Sequence, residues 1–80
     1  MTLNELKIGE IAVITKVMGD GELRLRLLDM GLIPRTRISI RKVAPLGDPI
    51  EITIRGYELT IRREEAKNIE VVKEIRRDKK

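Results

Sequence analysis

An 80-residue chain with no cysteine, no histidine and Tyr57 as its one aromatic side chain has room for a single small domain. It offers no thiolate nucleophile, imidazole base or metal site of the usual nitrogen and sulfur type. The formal net charge of +4 points towards polyanions, yet Lys73 to Lys80 carries five cations against two anions, whereas Met1 to Val72 carries twelve against eleven. A nearly neutral body with one aromatic residue lacks the stacking platforms of a single-strand binder.

Met1 to Lys7 has no apolar signal segment, and no run approaches the ~18 apolar residues of a membrane helix. With the lack of cysteine, this points to the cytoplasm. Ile11 to Met18, rich in Ile, Val and Thr and bounded by Gly9 and Gly19-Asp20-Gly21, predicts a first strand. Glu22 to Met30 fits two templates: Leu23, Leu25 and Leu27 alternate as in a strand, while Leu23, Leu27 and Met30 share one helical face. Asp20 as N-cap, Glu22 in the first turn and Gly31 after the last favour helix, which Pro34 forbids from continuing. Strand alternation resumes at Ile38 and Ile40, at Ile50, Ile52 and Ile54, and at Leu59 and Ile61, all expected to face inward. Gly56 supplies the positive φ for a tight reversal at Arg55-Gly56. A helical turn at Arg63 to Lys67 and a strand at Ile69 to Val72 complete an all-β fold with one short helix, an SH3-like small five-stranded barrel in which closure hides the sheet edges. The single domain is expected over residues 1–75, with 76–80 a basic, frayed tail.

Reactive chemistry is sparse, so neither an enzyme nor a cofactor is expected. Glu64-Glu65 and Asp48 could touch a hard cation, but carboxylates on a charged surface are ordinarily solvated, and no metal site is assigned. Gly19-Asp20-Gly21 lacks the Gly-Lys-Ser or Gly-Lys-Thr ending of a phosphate-binding loop.

Three punctuated segments recur at fixed distances: Leu27-Leu28-Asp29-Met30-Gly31-Leu32-Ile33-Pro34, Ala44-Pro45-Leu46-Gly47-Asp48-Pro49, and Arg55-Gly56-Tyr57 ahead of Arg62-Arg63-Glu64-Glu65-Ala66. Their order and spacing resemble the ferrous iron transport protein A (FeoA) family over about Leu6 to Val72. The chain departs from that pattern at Arg35, where the family has glycine after the proline. A type I turn would tolerate arginine there; a turn demanding positive φ would be strained. The resemblance implies an SH3-like barrel that serves as a cytoplasmic, non-catalytic accessory or regulator of ferrous-iron uptake, in contact with the GTP-binding part of the transporter FeoB. Two alternatives stand beside it: a detached SH3-like domain of the metal-dependent repressor type, and a small-barrel nucleic-acid-binding module.

For the partner-binding surface, Leu28, Leu32, Ile33 and Pro34 cannot all share the Leu23, Leu27 and Met30 stripe, so apolar surface is expected outside near the helix end. Arg35 and Arg37 frame it, and Leu46 with Asp48 and Pro49 forms a second exposed loop. Tyr57 is either an interface residue or a hydroxyl satisfied at the barrel rim. A monomer or weak homo-oligomer is expected.

Overall fold

The computed structural model describes residues 1–74, and the basic tail expected over 76–80 lies outside the described residues. After a 3-10 turn at Leu3–Glu5 the elements are β1 (Ile11–Val17), α1 (Gly21–Asp29), β2 (Arg37–Val43), β3 (Ile50–Ile54), β4 (Tyr57–Ile61), α2 (Arg63–Ala66) and β5 (Ile69–Lys73). The five strands lie in the order β4-β3-β2-β1-β5, every neighbouring pair antiparallel. Register shifts between Ile14 and Lys16 on β1 and between Ile40 and Lys42 on β2 mark bulges, which bend a strand and raise its twist, so the sheet curls around its apolar face. The short α2 connects the edge strands β4 and β5. At the outer edge of β5, the Val71 N–H donates to the Met1 carbonyl at 2.8 Å and Thr2 bridges Glu70, so the N-terminal segment covers that edge.

Period-2 alternation decides which side of each strand enters the core. Ile38, Ile40, Ile50, Ile52, Ile54 and Ile61 are buried as their spacing predicts, and Leu3, Leu6, Ala12, Ile14, Val17, Ile69 and Val71 join them in one cluster. Leu59 departs from the expectation: it is only half-buried, because β4 has a strand partner on one side alone.

The helix reading of Glu22 to Met30 holds. The Asp20 carboxylate accepts the Leu23 N–H at 2.8 Å, which satisfies one of the free amides of the first turn of α1. At the other end Gly31 takes φ 96, its N–H donates to Leu28 at 2.9 Å, and the Leu32 N–H donates to Leu27 at 3.2 Å. This paired pattern is a Schellman closure, in which the residue after the glycine folds back towards the last apolar position of the helix. Leu27 is fully buried, while Leu23 and Met30 are half-buried against the core.

Two turns carry arginine in the left-handed region. At Ile33-Pro34-Arg35-Thr36 the Thr36 N–H donates to Ile33 at 3.2 Å and Arg35 has φ 77, the pattern of a type II turn rather than the type I turn that arginine tolerates. The β3–β4 hairpin places both Arg55 (φ 52) and Gly56 (φ 84) at positive φ, as a type I′ turn requires. Only the glycine of that pair was legible as a left-handed position.

Candidate functional site

The Schellman closure determines what the end of α1 presents. Leu32, expected at the surface, is 0% exposed: as the residue after the helix-ending glycine it is drawn into the core with Leu27. This corrects its place in the expected docking surface. Leu28 is half-buried against the same core. Ile33, at 39% exposure, and Pro34 and Arg35 do lie outside. The Arg35 N–H donates to the Ile14 carbonyl at 2.6 Å, which anchors the turn to β1 while the side chain stays exposed.

Tyr57 joins the hairpin tip to this region. Its hydroxyl donates to the Met30 carbonyl at 3.0 Å, and its ring stays partly exposed. A Cβ added at Gly31 would come within 2.6 Å of that hydroxyl, so this position demands glycine for space as well as for its φ of 96. One exposed apolar residue escapes the sequence reading: Leu25, 61% exposed on the outward side of α1, three residues before Leu28. Its failure to fit the Leu23, Leu27 and Met30 stripe was the available signal. The exposed set at this end is thus Ile33, Pro34 and Tyr57, with Arg35 beside it, while Leu25 stands apart at the middle of α1. Arg37 starts β2 two residues further along, opposite Val13, and pairs with Glu74 at 2.8 Å.

The second loop stands apart. Leu46 is 96% exposed at the tip of a frame held by the Gly47 N–H to Ala44 at 2.7 Å and the Ala44 N–H to Pro49 at 3.0 Å. Asp48 and Pro49 are exposed, and the Asp48 carboxylate accepts the Arg63 N–H at 3.0 Å, which ties the loop to the first turn of α2. Arg37 and Val43 mark opposite ends of β2, so this loop and the Ile33 turn are separated by that strand, roughly 20 Å at the usual rise per residue. The residues expected to form one surface therefore divide between two ends of the barrel.

The carboxylates considered for a hard cation have protein partners: Glu65 contacts Arg26 at 2.6 Å and accepts the Arg62 N–H at 2.9 Å, and Glu64 faces Lys67 at 3.4 Å. Among the described residues no group of three or more His, Cys, Asp or Glu side chains could hold a metal ion. Glu10 is the carboxylate whose proton affinity is visibly altered: the hydrogen bond from the Lys73 ammonium at 2.9 Å, then that from the Lys7 N–H at 2.8 Å, hold its pKa below the ordinary value. No helix among the described residues is long and apolar enough to cross a membrane.

A family model described as FeoA domain matches residues 1–73. The chain is 44% identical over 71 residues to a Fe(2+) transport protein A/Fe(2+) transporter FeoB fusion protein of Porphyromonas gingivalis, covering 89% of this chain and 8% of the fusion protein. The FeoA-like protein of Clostridium acetobutylicum shares its fold with a TM-score of 0.88 at 34% identity, over 100% of this chain and 93% of that one. The FeoA of Stenotrophomonas maltophilia, described as a procaryotic SH3 domain protein complexed with zinc, has a TM-score of 0.79 at 25% identity, over 90% of this chain and 89% of that one. The SH3-like arrangement of five antiparallel strands, the glycine-closed helix end and the family match over nearly every described residue agree: this chain belongs to the FeoA domain family, whose members take part in ferrous iron transport.

Proposed function

We propose that this chain is a non-catalytic regulator of ferrous-iron uptake that works on the cytoplasmic side by direct contact with the GTP-binding transporter FeoB. The observation that carries this reading is the Porphyromonas gingivalis relative, in which a segment 44% identical to this chain is part of one polypeptide with a FeoB transporter. Covalent fusion holds two domains at a high effective concentration, which favours even a modest contact between them. A separate chain without that tether needs a surface of its own. The apolar set Ile33, Pro34 and Tyr57 at the end of α1, with Arg35 at its margin, supplies one. Exposed aliphatic and aromatic groups provide the desolvated centre of a docking surface, and rim arginines raise its association rate.

Leu46 and its loop act as a second, separate point of contact. In both places the partner is held by burial of apolar surface, and this chain contributes no reacting group. Co-purification with detergent-solubilised FeoB tests the reading. Ile33→Glu, which adds a charge at an exposed position, is expected to leave the melting curve unchanged and to weaken co-purification sharply. A folded Ile33→Glu variant that binds as tightly as the parent would move the contact elsewhere.

A further inference from the structure

We propose that two copies of this chain pair through the free edge of β4, antiparallel about a two-fold axis at Leu59, into one continuous sheet. This inference does not depend on contact with the transporter. The sheet has two edges, β4 and β5, and only one of them is covered. Along β5 the N-terminal segment lies on the edge, with the Val71 N–H bonded to Met1 and Thr2 bridged to Glu70. Along β4, among the described residues, no segment bridges the outer edge; Glu58 and Thr60 are exposed and Leu59 is half-buried. Proline, lysine and bulges are the usual devices by which an edge strand resists further pairing, and β4 carries none of them. Its one charged side chain, Glu58, is neutralised by Arg41 at 3.0 Å.

The β3–β4 hairpin fixes which backbone groups face that edge. In its two-residue turn the Tyr57 N–H points back to Ile54, and the direction alternates along the strand. Tyr57, Leu59 and Ile61 therefore bond to β3, whereas Glu58 and Thr60 direct their N–H and C=O groups outward. Arg62 follows the same alternation: its N–H points away from β3 and donates to the Glu65 carboxylate at 2.9 Å. Its C=O accepts the N–H groups of Glu65 and Ala66, so α2 occupies both groups of that residue. Among the described residues, the N–H and C=O groups of Glu58 and Thr60 thus make up the open edge.

This edge is complementary to itself. With Glu58 opposite Thr60 of the second copy, and Thr60 opposite its Glu58, every open group finds a partner, and Leu59 meets Leu59 on the axis as the closer, non-hydrogen-bonded pair. Side chains match in the same register. On the core-facing row Tyr57 stands opposite Ile61, and the two half-buried leucines cover one another. On the outward row each Thr60 hydroxyl faces a Glu58 carboxylate. Moving the axis to Glu58 would set two carboxylates directly opposite each other, and moving it to Thr60 would set Glu58 against Arg62, whose backbone groups α2 already holds. A match of both rows and of every open backbone group in a single register selects a second copy over an unrelated strand. A head-to-tail array would need the β5 edge, which the N-terminal segment covers, so the pairing closes at a dimer. So short an edge makes that dimer weak and concentration-dependent.

The test is amide hydrogen exchange of the full chain, read residue by residue by NMR across a dilution series. The Tyr57, Leu59 and Ile61 amides are expected to be protected at every concentration, and those of Glu58 and Thr60 only in concentrated solution, where analytical ultracentrifugation should find a dimer. Thr60→Pro removes an outward N–H that the ladder with β3 does not use. It should keep the melting curve and weaken self-association about thirtyfold, the equivalent of about 1 kcal/mol for each of the two bonds lost. However that variant folds, Leu59→Cys exposed to oxidised glutathione should form a disulfide-linked dimer, because residues paired on the axis stand about 4.5 Å apart between Cα atoms. Glu58→Cys, set diagonally at about 7–8 Å, should not. Fast exchange of Glu58 and Thr60 at every concentration would overturn the proposal, as would protection that does not change with concentration, the result of cover by a segment of the same chain. So would a folded Thr60→Pro protein that dimerises like the parent, or Glu58→Cys that crosslinks as fast as Leu59→Cys. None of these measurements involves FeoB, so this proposal and the transporter reading fail separately.

Discussion

The Tyr57 hydroxyl donates to the Met30 carbonyl at 3.0 Å, across the space that a side chain at Gly31 would fill. Met30 is the C-cap of α1, so its carbonyl is one of those a helix leaves without an internal partner, and the tyrosine supplies that partner from the β3–β4 hairpin. Tyr57→Phe should therefore cost about 1 kcal/mol in urea denaturation, the usual net value of such a bond. Gly31→Ala should cost more, because it sets a Cβ 2.6 Å from the hydroxyl and places a non-glycine residue at φ 96. A Gly31→Ala protein as stable as the parent would contradict this account of the helix end.

Arg35 and Arg55 both occupy left-handed backbone, at φ 77 and φ 52, and neither side chain is buried. For an L-residue that conformation costs roughly 1–2 kcal/mol, partly offset in a change to glycine by about 0.5–1 kcal/mol of extra unfolded-state entropy. Arg35→Gly should then stabilise the protein by about 0.5–1 kcal/mol, and Arg55→Asn, which creates the favoured Asn-Gly hairpin pair, by a few tenths to 1 kcal/mol. A rise in melting temperature checks both. If Arg35 also contributes to docking, its replacement by glycine will raise stability and slow association at once, a combination that packing alone does not produce.

Leu32 and Ile33 are neighbours in sequence with opposite roles. Leu32→Ala should cost about 2–5 kcal/mol, as should Ile52→Ala in the barrel core, whereas Ile33→Ala should change stability by less than about 0.5 kcal/mol. The denaturant midpoint distinguishes them. A Leu32→Ala midpoint equal to that of Ile33→Ala would contradict the burial at the helix end.

Much of this fold was readable because local signals agreed. The isoleucines of β2 and β3 alternate cleanly, Asp20 caps α1 as its position implied, and Gly31 ends the helix. The exposed apolar surface at the end of α1 was less legible for a geometric reason. A helical stripe says which residues share a face of α1, but it cannot say where the chain points after a left-handed residue, and that one torsion carries Leu32 inward. Leu59 was misplaced because alternation does not reveal that β4 lies at an edge. The separation of Leu46 from Ile33 depends on the direction of β2 between them, which motif order along the chain does not convey.

Glu10 links acid to stability. Its carboxylate is held by Lys73 and by the Lys7 N–H, which lowers its pKa in the folded state relative to the unfolded chain. A lowered folded-state pKa means that the contribution is fully present above the unfolded value and is lost as pH falls through the folded value. Glu10→Gln should therefore lose less stability than the parent between neutral pH and the region below the ordinary carboxylate range. Parallel stability profiles for the two proteins across that window would show that the carboxylate does not act in this way.

The two exposed apolar sites are far enough apart to act independently on a partner. Ile33 follows the end of α1 and Leu46 lies beyond the far end of β2, a separation of roughly 20 Å at the usual strand rise. Substitutions more than about 10 Å apart without shared partners normally add to within about 0.5 kcal/mol. If FeoB meets both surfaces, Ile33→Glu and Leu46→Glu should each weaken binding, and the double variant should lose the sum of the two free energies. If FeoB meets only the α1 end, Leu46→Glu should bind like the parent in calorimetry even though Leu46 is the most exposed hydrophobic residue of the described chain. A coupling well above about 0.5 kcal/mol would instead show that the partner rearranges the barrel as it binds, since no rigid docking connects two sites at that distance.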